Sequence, residues 1–169
     1  GPNVVIGDNT LIMSNCVISD SIIGKNCVIQ SGSIIGGKGF GFTPISKVEV
    51  KHIGNVIIGD NVDIGSNTTI DRGTLNSTLI GDFCRIDNLV QIGHNVSIGR
   101  NCIIAAQSGI AGSSEIGNNV TMAGQVGVVG HIFIVDDVTI GSKSAVMQSI
   151  KKPGTYSGIP TIDHQSNKK

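Results

Sequence analysis

Aromatic residues are scarce in this sequence. Its 169 residues include four Phe, one Tyr and no Trp, and aromatic side chains make up only 3% of the chain. A narrow interior filled by stacked aliphatic side chains has little room for rings, so the scarcity favours a core of that kind.

Net charge is absent as well. Twelve Lys and Arg balance twelve Asp and Glu, so electrostatics gives no reason to expect a nucleic-acid partner. No apolar run reaches the roughly 18 residues of a membrane-spanning helix, and we expect no stable membrane insertion. No Cys-x-x-Cys pair occurs either, which disfavours a zinc site, so we expect no bound metal.

An aliphatic residue instead recurs at every sixth position over the second half of the chain. The run contains twelve consecutive members: Ile80, Ile86, Ile92, Ile98, Ile104, Ile110, Ile116, Met122, Val128, Ile134, Ile140 and Val146. An α-helix would space its apolar residues by three and four. A six-residue period is typical of parallel β-helices, in which each hexad forms one short strand and a corner.

Three hexads close one triangular coil of 18 residues, so this run builds about four coils. Earlier hexads run through Ile6, Ile12 and Ile18, shift by one residue at Ile23, and return at Ile58, Ile64 and Ile70. The sequence therefore predicts an all-β solenoid of about seven coils over residues 1–152. Residues 153–169 form a C-terminal tail, which begins with Pro153-Gly154.

The four cysteines follow the repeat. Each lies four residues after a hexad aliphatic residue, in the position that Val, Ser or Thr fills elsewhere: Cys16, Cys27, Cys84 and Cys102. We interpret them as small core residues, because a buried free Cys behaves as a small hydrophobe. Their use favours a reducing, cytoplasmic compartment.

The repeat is interrupted between residues 36 and 55 by a glycine-rich segment with Phe40 and Phe42, followed by a charged run. Insertions in solenoids often serve binding, and two Phe flanked by glycines favour that role over a variable surface loop. The glycines are only a weak phosphate-loop signal, because no GK[ST] ending follows. We expect His52 in this loop and His164 in the tail to be solvated.

His94 and His131 lie inside the repeat but outside the inward positions, so they project from the prism or lie at its corners. Gly112 is one 18-residue coil beyond His94, or about 4.8 Å along the axis. A glycine there leaves room for a substrate between the imidazole and a backbone N–H, which is the layout of a base and an oxyanion donor.

Two further features accompany this pair. His131 is 37 residues beyond His94, about two coils or roughly 10 Å away, which suits the two ends of one bound group. Asp87 stands shortly before His94, where the repeat normally has Gly. It either orients an imidazole, binds a substrate or caps a turn.

At this point the residues resemble a known group. The hexads, the segment around His94 and the terminal Ser157-Gly158-Ile159-Pro160 resemble the left-handed β-helix acyltransferases. Four segments are similar to the UDP-3-O-acylglucosamine N-acyltransferases of lipid A biosynthesis in Gram-negative bacteria: Gly39-Phe40-Gly41-Phe42, Thr68-Thr69-Ile70-Asp71-Arg72-Gly73, Ile86-Asp87-Asn88 and Gly130-His131.

The resemblance implies a left-handed β-helix that forms a homotrimer, with active sites in clefts between subunits. It implies transfer of a 3-hydroxyacyl group from acyl carrier protein to the 2-amine of UDP-3-O-(3-hydroxyacyl)glucosamine, in the cytoplasm and without a cofactor. His94 would be the general base, Gly112 the oxyanion donor and His131 an assisting residue. Four residues would bind substrate: Asp87, Asn88, Phe40 and Phe42.

The family also has an N-terminal uridine-binding domain and a C-terminal helical segment, which this sequence does not contain. Near its end, Ser144, Ala145 and Met147 lie where an acyl chain could run, and we expect the small Ala145 to permit a longer chain.

Three alternatives stay open. They are an O-acyltransferase, such as a UDP-N-acetylglucosamine acyltransferase or an acetyltransferase that uses coenzyme A; a γ-class carbonic anhydrase, which needs three His ligands on zinc; and a non-catalytic β-helix scaffold.

Overall fold

The computed structural model describes residues 1–167, which fold as a β-helix of short strands and one short helix. In chain order these elements are β1 (Val4–Ile6), β2 (Leu11–Ile12), β3 (Val17–Ile18), β4 (Ser21–Ile23), β5 (Val28–Ile29), β6 (Ile34–Gly37), β7 (Asn55–Ile58), β8 (Asp63–Ile64), β9 (Thr69–Asp71), β10 (Ser77–Ile80), β11 (Arg85–Ile86), β12 (Gln91–Ile92), β13 (Ser97–Ile98), β14 (Ile103–Ile104), β15 (Gly109–Ile110), β16 (Glu115–Ile116), β17 (Thr121–Met122), β18 (Gly127–Val128), β19 (Phe133–Ile134), β20 (Val138–Ile140), β21 (Ala145–Val146), β22 (Gly154–Ser157), β23 (Ile162–Asp163) and α1 (His164–Asn167).

Successive strands go to three successive sheets, which form the sides of the prism. Sheet A has the order β1-β4-β7-β10-β13-β16-β19, sheet B runs β2-β5-β8-β11-β14-β17-β20-β22-β23, and sheet C runs β3-β6-β9-β12-β15-β18-β21. Ile80 pairs with Ile98 and Ile98 with Ile116, so one coil takes 18 residues (98 − 80). The predicted left-handed parallel β-helix of about seven coils is confirmed, and β22 begins an eighth.

The corners between strands use left-handed backbone conformations. Asn95, Asn101 and Asn119 have φ of 59°, 55° and 57°, and similar values recur about every six residues along the chain. Asn is one of the few residues other than Gly that adopts this region readily. The recurring Asn therefore turns the chain from one sheet to the next.

The core consists of inward side chains stacked from coil to coil. Ile64, Ile104 and Ile140 are completely buried, with 0% exposure. Cys27, Cys84 and Cys102 are also at 0%, which confirms their interpretation as core residues, while Cys16 is only half-buried. The thiol of Cys102 donates to the Gly117 carbonyl, so the sulfur also satisfies a corner carbonyl.

The insertion is slightly shorter than the interval of residues 36–55 inferred from the sequence. Strand β6 continues to Gly37 and β7 begins at Asn55, which leaves residues 38–54 outside the regular coils. Within this loop, Phe42 forms an antiparallel bridge with Glu49. The carboxylate of Glu49 pairs with Lys38 at 2.8 Å. The loop is therefore an ordered flap folded back on the prism.

His52 in this loop is buried, contrary to the expectation of a solvated side chain. It is 8% exposed, and its ring lies 4.7 Å from the ring of His94. A Cβ atom on Gly39 or Gly41 would come within 2.8 Å of the His52 ring, so the glycines let the flap close over it. Burial, with the nearby charge of His94, lowers the pKa of His52.

The C-terminal tail does not begin where the β-helix ends. Strand β22 pairs in parallel with β20 and β23 adds antiparallel to β22, so sheet B continues past the boundary inferred at residue 152. In α1, His164 is half-buried and shares a 2.9 Å hydrogen bond with Ser157, so it too is not freely solvated. Within residues 1–167, no helix has the length and apolarity needed to cross a membrane.

The alternation in β14 provides a test of the fold. Ile104 points inward and is completely buried, whereas its neighbour Ile103 points outward and is 50% exposed. We expect Ile104→Ala to lower the free energy of unfolding by about 2–5 kcal/mol, because it leaves a cavity in the stack. Ile103→Ala should cost less than about 1 kcal/mol. Urea denaturation of both variants measures the difference, and equal losses would contradict the assigned orientation.

The buried His52 should make stability depend on pH. Neither ring nitrogen has a hydrogen-bond partner in the described residues. Because its folded pKa is lowered, the unfolded chain binds the proton more readily, and stability falls as the pH drops below about 6.5. We expect His52→Leu to reduce this slope, as measured by thermal unfolding between pH 5 and pH 7.5. Identical slopes in both proteins would show that His52 does not contribute.

Candidate active site

A cavity of about 940 Å³ runs along the outside of sheet C. Its floor is formed by the outward positions of β15, β18 and β21, which are Gly109, Gly127 and Ala145 in register. A Cβ atom on Gly109 or Gly127 would meet nothing within 4 Å. Neither glycine is required by packing, so their effect is to keep the floor open to a ligand.

His94 lies at one end of this cavity, at the corner that follows β12. Its Nδ1 is 3.1 Å from Oδ1 of Asn95, and the same oxygen accepts from the Thr74 backbone N–H at 3.0 Å. Since that atom is an acceptor, Nδ1 of His94 carries the proton. The Nε2 atom is then unprotonated, as a general base requires.

Gly112 lies directly beneath this nitrogen. A Cβ atom on Gly112 would be 2.7 Å from Nε2 of His94, so a larger residue would displace the ring. The predicted juxtaposition of His94 and Gly112 is therefore present in the structure.

The Gly112 amide differs from amides at similar corners. There a side chain of the next coil accepts from the backbone N–H, as Asn88 does for Ser66, Asn118 for Arg100 and Asp136 for Asn118. One coil beyond Gly112 stands Gly130, which has no side chain to accept. Within residues 1–167 the Gly112 N–H donates no hydrogen bond. It is thus available to an oxyanion beside the base.

A carboxylate also lines the cavity. Oδ2 of Asp71, at the end of β9, accepts from Nε2 of Gln91 at 3.0 Å. Burial raises the pKa of Asp71 to about 6, against the opposing effects of the Gln91 hydrogen bond and the charge of His94. Asp71 is therefore ionised at neutral pH, but at a cost in free energy.

The far end of the cavity is apolar. Ala145, Met147 and Ile159 line it, as the sequence predicts for the first two. Ser144 points the other way: it is 2% exposed, and its hydroxyl accepts from the Gly158 N–H. Ser144 is therefore a core residue and does not line the cavity.

His131 is exposed on the same edge of the prism. Its N–H donates to the Gly112 carbonyl at 3.2 Å, and its φ of 60° places it at the corner position that Asn95 occupies two coils earlier. His131 consequently stacks below Asn95 and Ser113, one position away from the column of His94, Gly112 and Gly130. Its side chain does not line the cavity.

Asp87 and Asn88 do not contact His94 in this chain. They follow β11, at the corner on the other edge of sheet C. The Asp87 carboxylate accepts from the N–H groups of Asn88 and Ala106, at 2.8 and 3.1 Å. Within one chain the geometry is that of a corner cap, the structural interpretation left open above, and Asp87 does not orient the imidazole.

The two phenylalanines divide. Phe40 is 84% exposed and lines the cavity, whereas Phe42 lies behind it in edge contact at 5.2 Å between ring centroids. Phe40 is therefore placed to contact a ligand directly, and Phe42 to hold Phe40.

Sequence reasoning missed His52, Asn95 and the position of Asp71. No periodic signal could place His52, because its contact with His94 is made by an irregular flap. Asn95 could have been found, since Asn is expected at a corner and stands next to the base. Asp71 could have been found as well, because Thr69 lies one coil before Gln91 in the register.

Comparison with known proteins identifies the repeat. The family model described as bacterial transferase hexapeptide (six repeats) matches residues 3–37 and 77–112. The model described as hexapeptide repeat of succinyl-transferase matches residues 55–94.

Curated relatives named UDP-3-O-acylglucosamine N-acyltransferase are similar over most of the chain. The protein of Rickettsia akari is 56% identical over 147 residues, which are 86% of this chain and 42% of the relative. A second, from Legionella pneumophila strain Paris, is 53% identical over 147 residues, again 86% of this chain and 43% of the relative. The chain thus spans less than half the length of these relatives.

Solved structures give the same fold. The UDP-N-acetylglucosamine acyltransferase of Francisella novicida superposes with a TM-score of 0.86 at 28% identity, covering 94% of this chain and 58% of that one. The enzyme of the same name from Bacteroides fragilis gives a TM-score of 0.81 at 25% identity, covering 95% and 67%.

The periodicity, the fold and the relatives agree. The chain belongs to the bacterial hexapeptide-repeat transferases, and within them its β-helix belongs to the family of UDP-3-O-acylglucosamine N-acyltransferases.

Proposed function

We propose that this chain forms the β-helix of an N-acyltransferase of lipid A biosynthesis. It moves a 3-hydroxyacyl group from the thioester of acyl carrier protein to the 2-amine of UDP-3-O-(3-hydroxyacyl)glucosamine. The observation that carries the proposal is the unprotonated Nε2 of His94 above the undonated N–H of Gly112, at the head of a side-chain-free groove. The curated relatives carry the name of this reaction.

In the proposed mechanism, the amine nitrogen attacks the thioester carbonyl carbon, and Nε2 of His94 takes a proton from that nitrogen. The carbonyl oxygen becomes an oxyanion that accepts from the Gly112 N–H. The carbon–sulfur bond then breaks, and the proton on His94 passes to the leaving thiolate. Because a thioester is already activated, the reaction needs neither metal nor redox cofactor.

The groove over Gly109 and Gly127 suits the acyl chain. Three strand spacings separate Gln91 from Ala145 along sheet C, roughly 14 Å. The apolar floor then ends at Met147 and Ile159. An acyl chain lying on this floor would place its thioester carbon beside Gly112.

The remaining roles belong to the assembled protein. We propose a homotrimer in which Asp87 and Asn88, on the far edge of sheet C, reach the substrate of a neighbouring subunit. His131 would assist at the same edge as His94, and Phe40 would contact the UDP-sugar. Acyl carrier protein delivers the donor, and the four unpaired cysteines favour a reducing, cytoplasmic setting.

The second candidate is an O-acyltransferase, favoured by the likeness to the UDP-N-acetylglucosamine acyltransferase of Francisella novicida. The two functions differ in the attacking atom, so the acceptor distinguishes them.

The base is tested by His94→Ala in the full-length protein that contains this chain. UDP-3-O-acylglucosamine and UDP-N-acetylglucosamine are offered separately, with 3-hydroxyacyl carrier protein as donor. We expect transfer only to the free amine, and a loss of about 100-fold or more in the variant because the general base is missing. His164→Ala, in the short helix α1, serves as the matched control and should keep full activity.

Transfer to the hydroxyl acceptor would assign the chain to the O-acyltransferases. Unimpaired transfer by His94→Ala would remove His94 as the base. No transfer by the wild type would favour the scaffold.

The groove is tested by Ala145→Met. A longer side chain on the floor should block the distal end, so the preferred acyl chain becomes shorter and kcat/KM for the longest accepted donor falls about tenfold or more. The control is Thr139→Met, at an outward position of sheet B, which should leave chain-length preference unchanged. Acyl carrier proteins charged with a series of chain lengths measure the effect, and an unchanged preference would refute the assignment.

A further inference from the structure

The cavity contains a carboxylate that has no cationic partner. Asp71 lines the cavity together with His94. Lys38, which also lines it, is engaged with Glu49 at 2.8 Å. Asp20, which is similarly half-buried, is paired with Arg72. None of the ion pairs in the described residues includes Asp71. A negative charge is therefore kept beside the base without compensation.

Hydrogen bonds fix the orientation of this carboxylate. Gln91 donates to Oδ2 of Asp71, and its own Oε1 accepts from the Thr69 hydroxyl. The Gln91 amide is thereby locked in one orientation. The other oxygen, Oδ1, lies next to Gly37, where a Cβ atom would be 3.6 Å away. It accepts no hydrogen bond within residues 1–167, so one oxygen is left for a ligand.

An unpaired carboxylate is costly here. Burial is the main reason that the pKa of Asp71 is raised to about 6. An amide of the same shape could accept from Gln91 without that cost, and removal of a charge from an apolar cavity is usually neutral or stabilising. The charge itself therefore calls for a ligand that donates hydrogen or carries positive charge.

We propose that Asp71 binds the amino group of the acceptor and selects nitrogen over oxygen as the attacking atom. This inference rests on the proposed function. A neutral amine has two N–H groups, so it can donate one to Nε2 of His94 and the other to Oδ1 of Asp71. A hydroxyl has a single hydrogen, which must go to the base. Asp71 accepts the hydrogen bond and transfers no proton.

The discrimination has a physical cause. With a hydroxyl acceptor, the Asp71 carboxylate would stay desolvated and unpaired, facing the lone pairs of the acceptor oxygen. Sites that contain a buried polar group for one substrate reject the analogue that cannot pair with it. Asp71 is thus a specificity-determining residue that touches substrate, distinct in role from the base and the oxyanion donor.

The test compares wild type with Asp71→Asn in the full-length protein. The amine acceptor is UDP-3-O-acylglucosamine, and its 2-hydroxy counterpart, UDP-3-O-acylglucose, is used as a competitive inhibitor. We expect Asp71→Asn to raise KM for the amine roughly 10- to 100-fold, as for loss of a charge-assisted hydrogen bond. The Ki of the 2-hydroxy counterpart should stay the same or fall.

Asp137→Asn is the matched control. Asp137 is exposed at a corner with φ of 59°, a conformation that Asn also adopts readily, and it lies outside the cavity. It should change neither KM nor Ki. Asp71→Asn should unfold at the wild-type temperature or above it, which a merely structural role for the carboxylate would not give. Asp71→Ser, a smaller neutral variant, replaces it if the Asn variant does not fold.

Equal changes in KM and Ki, or no change in either, would overturn the role of Asp71. Calorimetric Kd values for both acceptors, measured without donor, keep the two failures apart. If wild type prefers the amine and Asp71→Asn does not, but no transfer occurs, the proposed reaction fails and the role of Asp71 stands. If wild type transfers to the amine and the Kd ratio ignores Asp71, the reaction stands and the inference fails.

Discussion

The fixed separation of hydrogen-bonded parallel strands, about 4.8 Å, governs the rest of this structure. Because each coil takes 18 residues, side chains one coil apart lie over one another, as Ile92 and Ile110 do in the core. The same register places His94 over Gly112 just outside the prism. The column that stacks aliphatic side chains inside therefore also aligns a base with a backbone amide outside, and no separate element is needed to position them.

The site coincides with a local exception in how the fold satisfies its backbone. Corner amides elsewhere are accepted by Asn or Asp side chains of the next coil, which meets the general demand that backbone donors be paired. At Gly112 that side chain is missing, since the next coil supplies Gly130. The flap with His52 then covers His94 from above, so the free amide lies in a partly enclosed and apolar surrounding. A donor left unpaired there can stabilise charge more strongly than one in water.

Periodicity made the coils, the core positions of Ile104 and Cys84, and the pairing of His94 with Gly112 predictable, because each follows from counting in sixes and eighteens. Contacts that break the count were not predictable. His52 meets His94 through an irregular flap, and β22 extends sheet B after the hexads have ended. Asp87 is only seven residues from His94, yet that distance leads to the next corner of the prism. Closeness in sequence is a poor guide in a solenoid, where neighbours in space are one coil away.

The 18-residue coil also restricts how such a chain can change length. An insertion or deletion of one whole coil preserves every facing pair, whereas any other length rotates the following residues onto a different side of the prism. Other lengths are tolerated only where the extra residues bulge outward, as residues 38–54 and the segment between β9 and β10 do. Length variation among related chains should therefore be quantised along the coils and continuous at these two bulges. The bulge that contains His52 covers the catalytic corner, so that is where sequence length can vary freely and still alter what the enclosure admits.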